Sequence, residues 1–183
     1  MNGYDNIGRL HKDIVFMKMC FILSQRSIDT SSKCGCMIVH KDGSILSVGY
    51  NNPVRGANDS TIPIDEYPTK YYYMEHAERN AIYNAAKHGI CLENSIFYIT
   101  GFPCIDCFRA IIQVGAYKII YGPNQTKMNT HLDHYIKILE NQKIIIERFK
   151  FDDILFEECP NIEKEVHNKF IKGIYDIKFE YNN

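Results

Sequence analysis

Two short motifs concentrate the reactive side chains of this chain: His76-Ala77-Glu78, and Pro103-Cys104-Ile105-Asp106-Cys107. Each stands where a loop or strand gives way to a helical pattern. Cys104 and Cys107 share one face if that segment is helical, with Cβ atoms about 5–6 Å apart, so both thiolates can reach one ion. His76 adds a neutral imidazole. Two thiolates and one imidazole form a zinc-type donor set, and a zinc centre with only three protein ligands keeps a position for water. Crowded thiolates are favoured at helix starts, where the helix dipole places about half a positive charge. Glu78, just beyond His76, can converge on the same helix entrance without binding the metal and can there move protons. Zinc brings the pKa of bound water down to about 7, so water activated in this way beside Glu78 suits hydrolytic attack on an electrophilic ring carbon. Taken singly, the pieces have blander readings: a zinc knuckle or redox pair for the cysteines, a satisfied helix-end histidine for His76. Their combination favours a catalytic metal centre.

The elements that must position these residues are visible in the periodicity. Leu10, Ile14, Met17, Phe21 and Ile22 recur at helical spacing and predict an amphipathic helix over 9–26. Residues 36–40 and 44–50 are β-rich runs joined by Lys41-Asp42-Gly43, which predicts an antiparallel hairpin. The stretch 51–67 carries Pro53, Gly56, Asn58, Asp59, Pro63 and Asp65 and is expected to be a long loop. A helix follows over 76–87, with Gly89 as its stop. Then come a strand at 95–100, a helix at 104–114 ended by Gly115, and a strand at 117–121. A helix at 129–141, with Leu132, Ile136 and Leu139 aligned, precedes a strand at 143–149. This alternation predicts an α/β fold of three layers, α/β/α, with a mixed sheet of about five strands. Beyond 151 an acidic run, 152–165, leads into an expected short helix and a β-rich piece at 174–181. The expectation is one domain over 1–183, its core at about 10–150 and residues 151–183 a C-terminal helical and β extension.

Composition narrows the class. With 183 residues, 45% apolar and 23% charged, the chain can bury a core of its own. Its 21 basic and 22 acidic residues leave a net charge of -1, against the basic footprint of a polynucleotide binder. The richest apolar run, 14–23, is interrupted by Lys18 and is too short to span a bilayer, and the N-terminus lacks a signal architecture. Seven scattered cysteines point to metal or thiol chemistry rather than disulfides, and a cytoplasmic location is expected.

The pairing of histidine-x-glutamate with proline-cysteine-x-x-cysteine is the known signature of zinc nucleobase deaminases. Over about residues 10–150 the chain resembles the deoxycytidylate (dCMP) deaminases of the cytidine deaminase superfamily. The likeness extends to Ser24-Gln25-Arg26-Ser27, Gly49-Tyr50-Asn51, Pro53-Val54-Arg55-Gly56, Lys70-Tyr71, Asn80-Ala81-Ile82, Phe102 and Ile111-Ile112-Gln113. Arg79 is instead reminiscent of the free-nucleoside branch. The resemblance implies a cytidine-deaminase-like fold, one zinc ion on His76, Cys104 and Cys107, and Glu78 as proton shuttle in converting dCMP to dUMP and ammonia for thymidylate synthesis. It further implies that backbone groups of Ala77 and Phe102 hold the base edge. Asn51 fits a sugar or phosphate contact, Arg55 fits a phosphate because a guanidinium grips two oxygens, and Arg26 is a second candidate. Homo-oligomers, commonly hexamers, and control by dCTP and dTTP, with Mg2+ accompanying such an effector, are implied as well. Other readings stay open: dCTP, cytidine or a modified dCMP as substrate, or a zinc-stabilised regulatory protein without turnover.

The chain departs from the family pattern at several places. Cys34-Gly35-Cys36 stands where valine-glycine-alanine is usual; the cysteines are expected to be small core residues, the alternative being a second metal site. Phe108 replaces the usual alanine and must reshape packing behind the pocket. The expected loop over 122–128 lacks the family's tyrosine, Thr126 falling near its place. Tyr71, Tyr72 and Tyr73 are candidates to line the pocket or to pack as a cluster.

Overall fold

The computed structural model describes residues 7–124, 132–140 and 142–149. Strands β1 (Gly35–Val39) and β2 (Ile45–Tyr50) form the hairpin around Lys41-Asp42-Gly43. With β5 (Ile96–Gly101), β6 (Lys118–Asn124) and β7 (Ile145–Arg148) they make a five-stranded sheet in the order β2-β1-β5-β6-β7. The β1–β2 and β1–β5 pairs are antiparallel, and β5–β6 and β6–β7 are parallel. The sheet is therefore mixed, with the expected five strands.

Alternation along the strands sends side chains to two cores. Met37, Val39, Ile96, Tyr98 and Ile120 meet Phe16, Met17, Cys20 and Phe21 of α1 (Lys12–Ser24). On the opposite face Cys36, Ile38, Phe97, Ile99, Ile119 and Tyr121 pack with residues of α2 (Ala77–Lys87), α3 (Ile105–Gln113) and α4 (Leu132–Leu139). Those are the three layers.

Some boundaries differ from the sequence expectation. Helix α1 starts at Lys12 behind His11, whose Nδ1 accepts from the Asp13 amide, and Ile22, counted in its apolar stripe, is 59% exposed. Its buried face runs instead through Ile14, Met17, Cys20, Phe21 and Ser24. In α4 the buried residues are Tyr135 and Leu139, whereas Ile136 is 36% exposed; a helix of 3.6 residues per turn favours one neighbour over the other, and the apolar count alone does not say which. Strand β6 continues through Gly122-Pro123 to Asn124 where a loop was expected. Pairing with β7 has ended by then, since its last register partner is Tyr121, so the missing amide of Pro123 disrupts no ladder on that side. The long loop after β2 contains a ribbon of β3 (Asn52–Pro53) and β4 (Met74–Glu75), too short to show periodicity, and a 3-10 turn at Thr69–Tyr72. The expected Thr126 position, the start of the 129–141 helix, and the extension over 151–183, including its 174–181 piece, lie outside the described residues.

Two close approaches seat the helices. A Cβ on Gly49 of β2 would lie 2.3 Å from the Ala77 carbonyl of α2, and one on Gly35 of β1 would lie 2.0 Å from the Cys20 carbonyl of α1. Polar ties reinforce the α2 seat: Asn80 Nδ2 donates to the Tyr50 carbonyl (2.9 Å), Asn84 Nδ2 to the Val48 carbonyl (2.8 Å), and Ser47 Oγ to the Ala81 carbonyl (2.7 Å). Among the described residues no helix is long and apolar enough to cross a membrane.

Candidate metal centre

His76 is the N-cap of α2 and Cys104 the N-cap of α3, both with extended backbone that turns their side chains across the helix ends. Cys107 stands in the first turn of α3 and Glu78 in that of α2. The two helix starts meet: His76 Nδ1 lies 3.4 Å from Cys104 Sγ and 3.5 Å from Cys107 Sγ. All three donor atoms fall within 4.8 Å of one another, and this is the group of metal-type side chains so gathered among the described residues. With Zn–S near 2.3 Å and Zn–N near 2.0–2.1 Å, a tetrahedral N···S edge is about 3.5 Å, so the donor set and its spacing fit zinc. Among the described residues three protein donors are gathered, which leaves one vertex of a tetrahedron.

Charge at the centre follows from this crowding. The hydrogen bond from Cys107 pulls the Cys104 thiol down to about 3, with His76 adding to the effect, while Cys107, which supplies that bond, is driven up. The Cys104 contact raises His76 against its partial burial. Glu78 is only 5% exposed, and burial raises its carboxyl above the ordinary glutamate range. A carboxyl so shifted exchanges protons closer to neutral pH than a surface glutamate does.

Arg79 and Tyr135 support the centre and were not assigned to it from sequence. Arg79 Nε donates to Glu75 Oε1 (2.7 Å), a pairing readable as an i,i+4 spacing across the start of α2. Although burial opposes the guanidinium charge, the nearby Cys107 and Cys104 sulfurs and the bond to Glu75 more than restore it. Tyr135, buried on α4, donates its hydroxyl to the Pro103 carbonyl (3.0 Å), directly before Cys104. Its ring meets Phe102 and Phe108 edge-on at 5.3 and 5.1 Å, and Phe108, fully buried, stacks on Phe102. No local signal links Tyr135 to Pro103.

The remaining sequence candidates are distributed around these starts. Ala77 is buried in the first turn of α2 and Phe102 is buried where β5 gives way to α3. Asn51 is 7% exposed; its Oδ1 accepts from the Cys34 amide and its Nδ2 donates to the Ser32 carbonyl, both at 2.7 Å. Arg55 is exposed and donates to Asn84 Oδ1 (2.6 Å), and Arg26 is exposed on the turn after α1. Cys36 is fully buried and Cys34 partly so, and neither belongs to a metal-type cluster among the described residues. Tyr71, Tyr72 and Tyr73 are 52%, 85% and 40% exposed, so they form neither a packed cluster nor a buried wall.

A mixed sheet flanked by helices, with a His-Cys-Cys centre shared by two helix starts, defines a zinc deaminase-like α/β protein. The profile of the family described as "Cytidine and deoxycytidylate deaminase zinc-binding region" matches residues 10–123, and the chain belongs to that family. The chain is 37% identical over 111 residues to the deoxycytidylate deaminase of Mus musculus, an alignment covering 58% of this chain and 61% of that protein. It thus spans about 61% of the length of the curated mammalian relatives it matches. The crystal structure of the dCMP deaminase of cyanophage S-TIM5 in apo form superposes with TM-score 0.58 at 30% identity, over 75% of this chain and 96% of that one. The same phage enzyme in complex with dCMP and dUMP superposes with TM-score 0.59 at 28% identity, over 74% and 94%.

Proposed function

We propose that this chain catalyses the hydrolytic deamination of dCMP, in which dCMP and water give dUMP and ammonia, supplying dUMP for thymidylate synthesis. The observation that carries the reading is the meeting of His76, Cys104 and Cys107 beside the buried Glu78. Zinc, when held by those three side chains, supplies Lewis acidity that makes water nucleophilic at neutral pH. Glu78 would take a proton from the attacking water and pass it to the ring nitrogen as the water oxygen bonds the adjacent carbon, and would then move the proton of the new hydroxyl to the amino group, whose C–N bond breaks to release ammonia. Its raised proton affinity suits both transfers.

Backbone groups of Ala77 and Phe102 hold the base edge, where buried polar atoms need partners. The Asn51 amide keeps one N–H beyond its two loop bonds, and that N–H is assigned to the sugar. Arg55, with Arg26 as second candidate, grips the phosphate. The near-neutral charge of the chain favours a mononucleotide over a polynucleotide. To the same reading belong one deaminase domain over 1–183, a cytoplasmic location, a hexameric assembly and control by dCTP and dTTP with Mg2+.

Zinc-loaded protein incubated with dCMP should release equimolar dUMP and ammonia, faster than with cytidine or dCTP. Absence of turnover at one zinc per chain would overturn the reading, and preference for another cytosine compound would move the substrate assignment. Sizing chromatography and rates with added dCTP or dTTP test assembly and control.

A further inference from the structure

A second buried charged cluster lies apart from the metal ligands. Lys70, on the 3-10 turn, and Asp29, on the loop between α1 and β1, are each 7% exposed, and Lys70 Nζ donates to both Asp29 oxygens at 3.0 Å. Lys70 also bonds the Ser31 hydroxyl. Asp29 Oδ1 accepts in addition from the Ser31 amide (2.8 Å), the Ser31 hydroxyl (2.9 Å) and the Ser32 amide (3.0 Å). The next links are those of Asn51, whose side chain bridges the Ser32 carbonyl and the Cys34 amide.

The cluster joins two segments that lead to the site. Past Cys34 the loop becomes β1, where Cys36 shares one packed core with Ala77 at the start of α2. On the other side the Tyr73 amide donates to the Lys70 carbonyl, and the chain passes through β4 to His76. Taking an ammonium and a carboxylate out of water costs several kcal/mol per ion, and an apolar pair of similar volume is commonly as stable or more so. What the ion pair supplies, and an apolar pair cannot, is a set of directional bonds that place Ser31 and Ser32.

We propose that the Asp29–Lys70 pair is a positioning device: it fixes the 29–34 loop, and through it the Asn51 amide, as the wall of the nucleotide pocket facing the sugar. The kinetic part of this inference rests on the reading of the site as a dCMP deaminase. Neither side chain touches the reacting atoms.

The test compares the zinc-loaded full chain with the double variant Asp29→Leu/Lys70→Met, in which an apolar pair replaces the ions. Its zinc content and thermal midpoint are expected to match the parent. KM for dCMP should rise about 10- to 100-fold, the scale of a small misplacement, with kcat changed less than about twofold. Amide hydrogen exchange across 28–34 should accelerate. Lys70→Arg, which keeps charge and reach, should restore the parental KM. An unmoved KM, or a loss of kcat together with zinc, overturns the inference. If the double variant does not fold, Asp29→Asn, which keeps the acceptor for the serine amides, takes its place: a raised KM supports the positioning role and an unmoved one overturns it. Parental turnover of dCMP reads the proposed function by itself; if there is none, unchanged exchange across 28–34 overturns the positioning role independently.

Discussion

Glu78 is the residue on which the proposed chemistry turns, because it is buried, carries a raised proton affinity, and is not one of the three donors that could hold a metal. A purely structural zinc site gains nothing from such a carboxylate. Glu78→Gln keeps the size and removes the proton exchange; it should retain one zinc by elemental analysis and lose about 10²- to 10⁴-fold in kcat, the range that general acid–base catalysis supplies. Activity near the parental level would end the assignment. The three donor side chains were legible because each stands in a short motif of its own, although His76 and Cys104 lie 28 residues apart. The role of Tyr135 was not, since its hydrogen bond to Pro103 joins positions that only folding brings together.

Helices α2 and α3 deliver the ligands from their first turns, so small changes in how they seat should be felt at the site. Gly49→Ala would thrust a methyl group against the Ala77 carbonyl at 2.3 Å, and the backbone of α2 has to yield. Overpacking of this kind costs about 1–3 kcal/mol, which should appear as a lower urea midpoint together with a fall in kcat/KM, because Glu78 moves with the helix. Parental values of both would refute the seating argument. On α4, Tyr135→Phe leaves the Pro103 carbonyl without its donor while keeping the ring contacts with Phe102 and Phe108. An unsatisfied buried acceptor costs about 1–3 kcal/mol, and competition with a chelator should show weaker zinc retention; unchanged retention would mean that α4 does not hold the Cys104 turn.

At the scale of the molecule, the Asp29–Lys70 pair links the segment after α1 to the segment before α2 and gives stability a dependence on acid. Burial pushes the Asp29 carboxyl up, but the bonds from Lys70, Ser31 and Ser32 outweigh it and hold it below the ordinary range. Its folded pKa is therefore below the unfolded value of about 3.9. The contribution is present above that pH and lost as pH falls through the folded value. Urea unfolding followed from neutral pH downward should lose stability on this acid limb, and Asp29→Asn should flatten it. Parallel limbs in the two proteins would contradict the pair's contribution. Removing the carboxylate also leaves Lys70 buried and unpaired, so Asp29→Ala is expected to cost about 3–5 kcal/mol at neutral pH.

The sequence by itself determined the two short donor motifs, the helix starts that carry them and the layered α/β alternation, because each depends on spacings of a few residues or on periodicity within one element, whereas the meeting of His76 with Cys104 and Cys107 was decided by the fold. The order β2-β1-β5-β6-β7 was beyond it, as were the exposure of Ile22, the continuation of β6 through Pro123 and the burial of Tyr135 in place of Ile136. Tertiary structure alone decided that Asn51 braces a loop, that Arg55 rests on Asn84 and that Asp29 finds Lys70. Those partners are distant along the chain, and which of them meet depends on how the elements pack, a choice made by the summed burial of two cores rather than by any local run of residues.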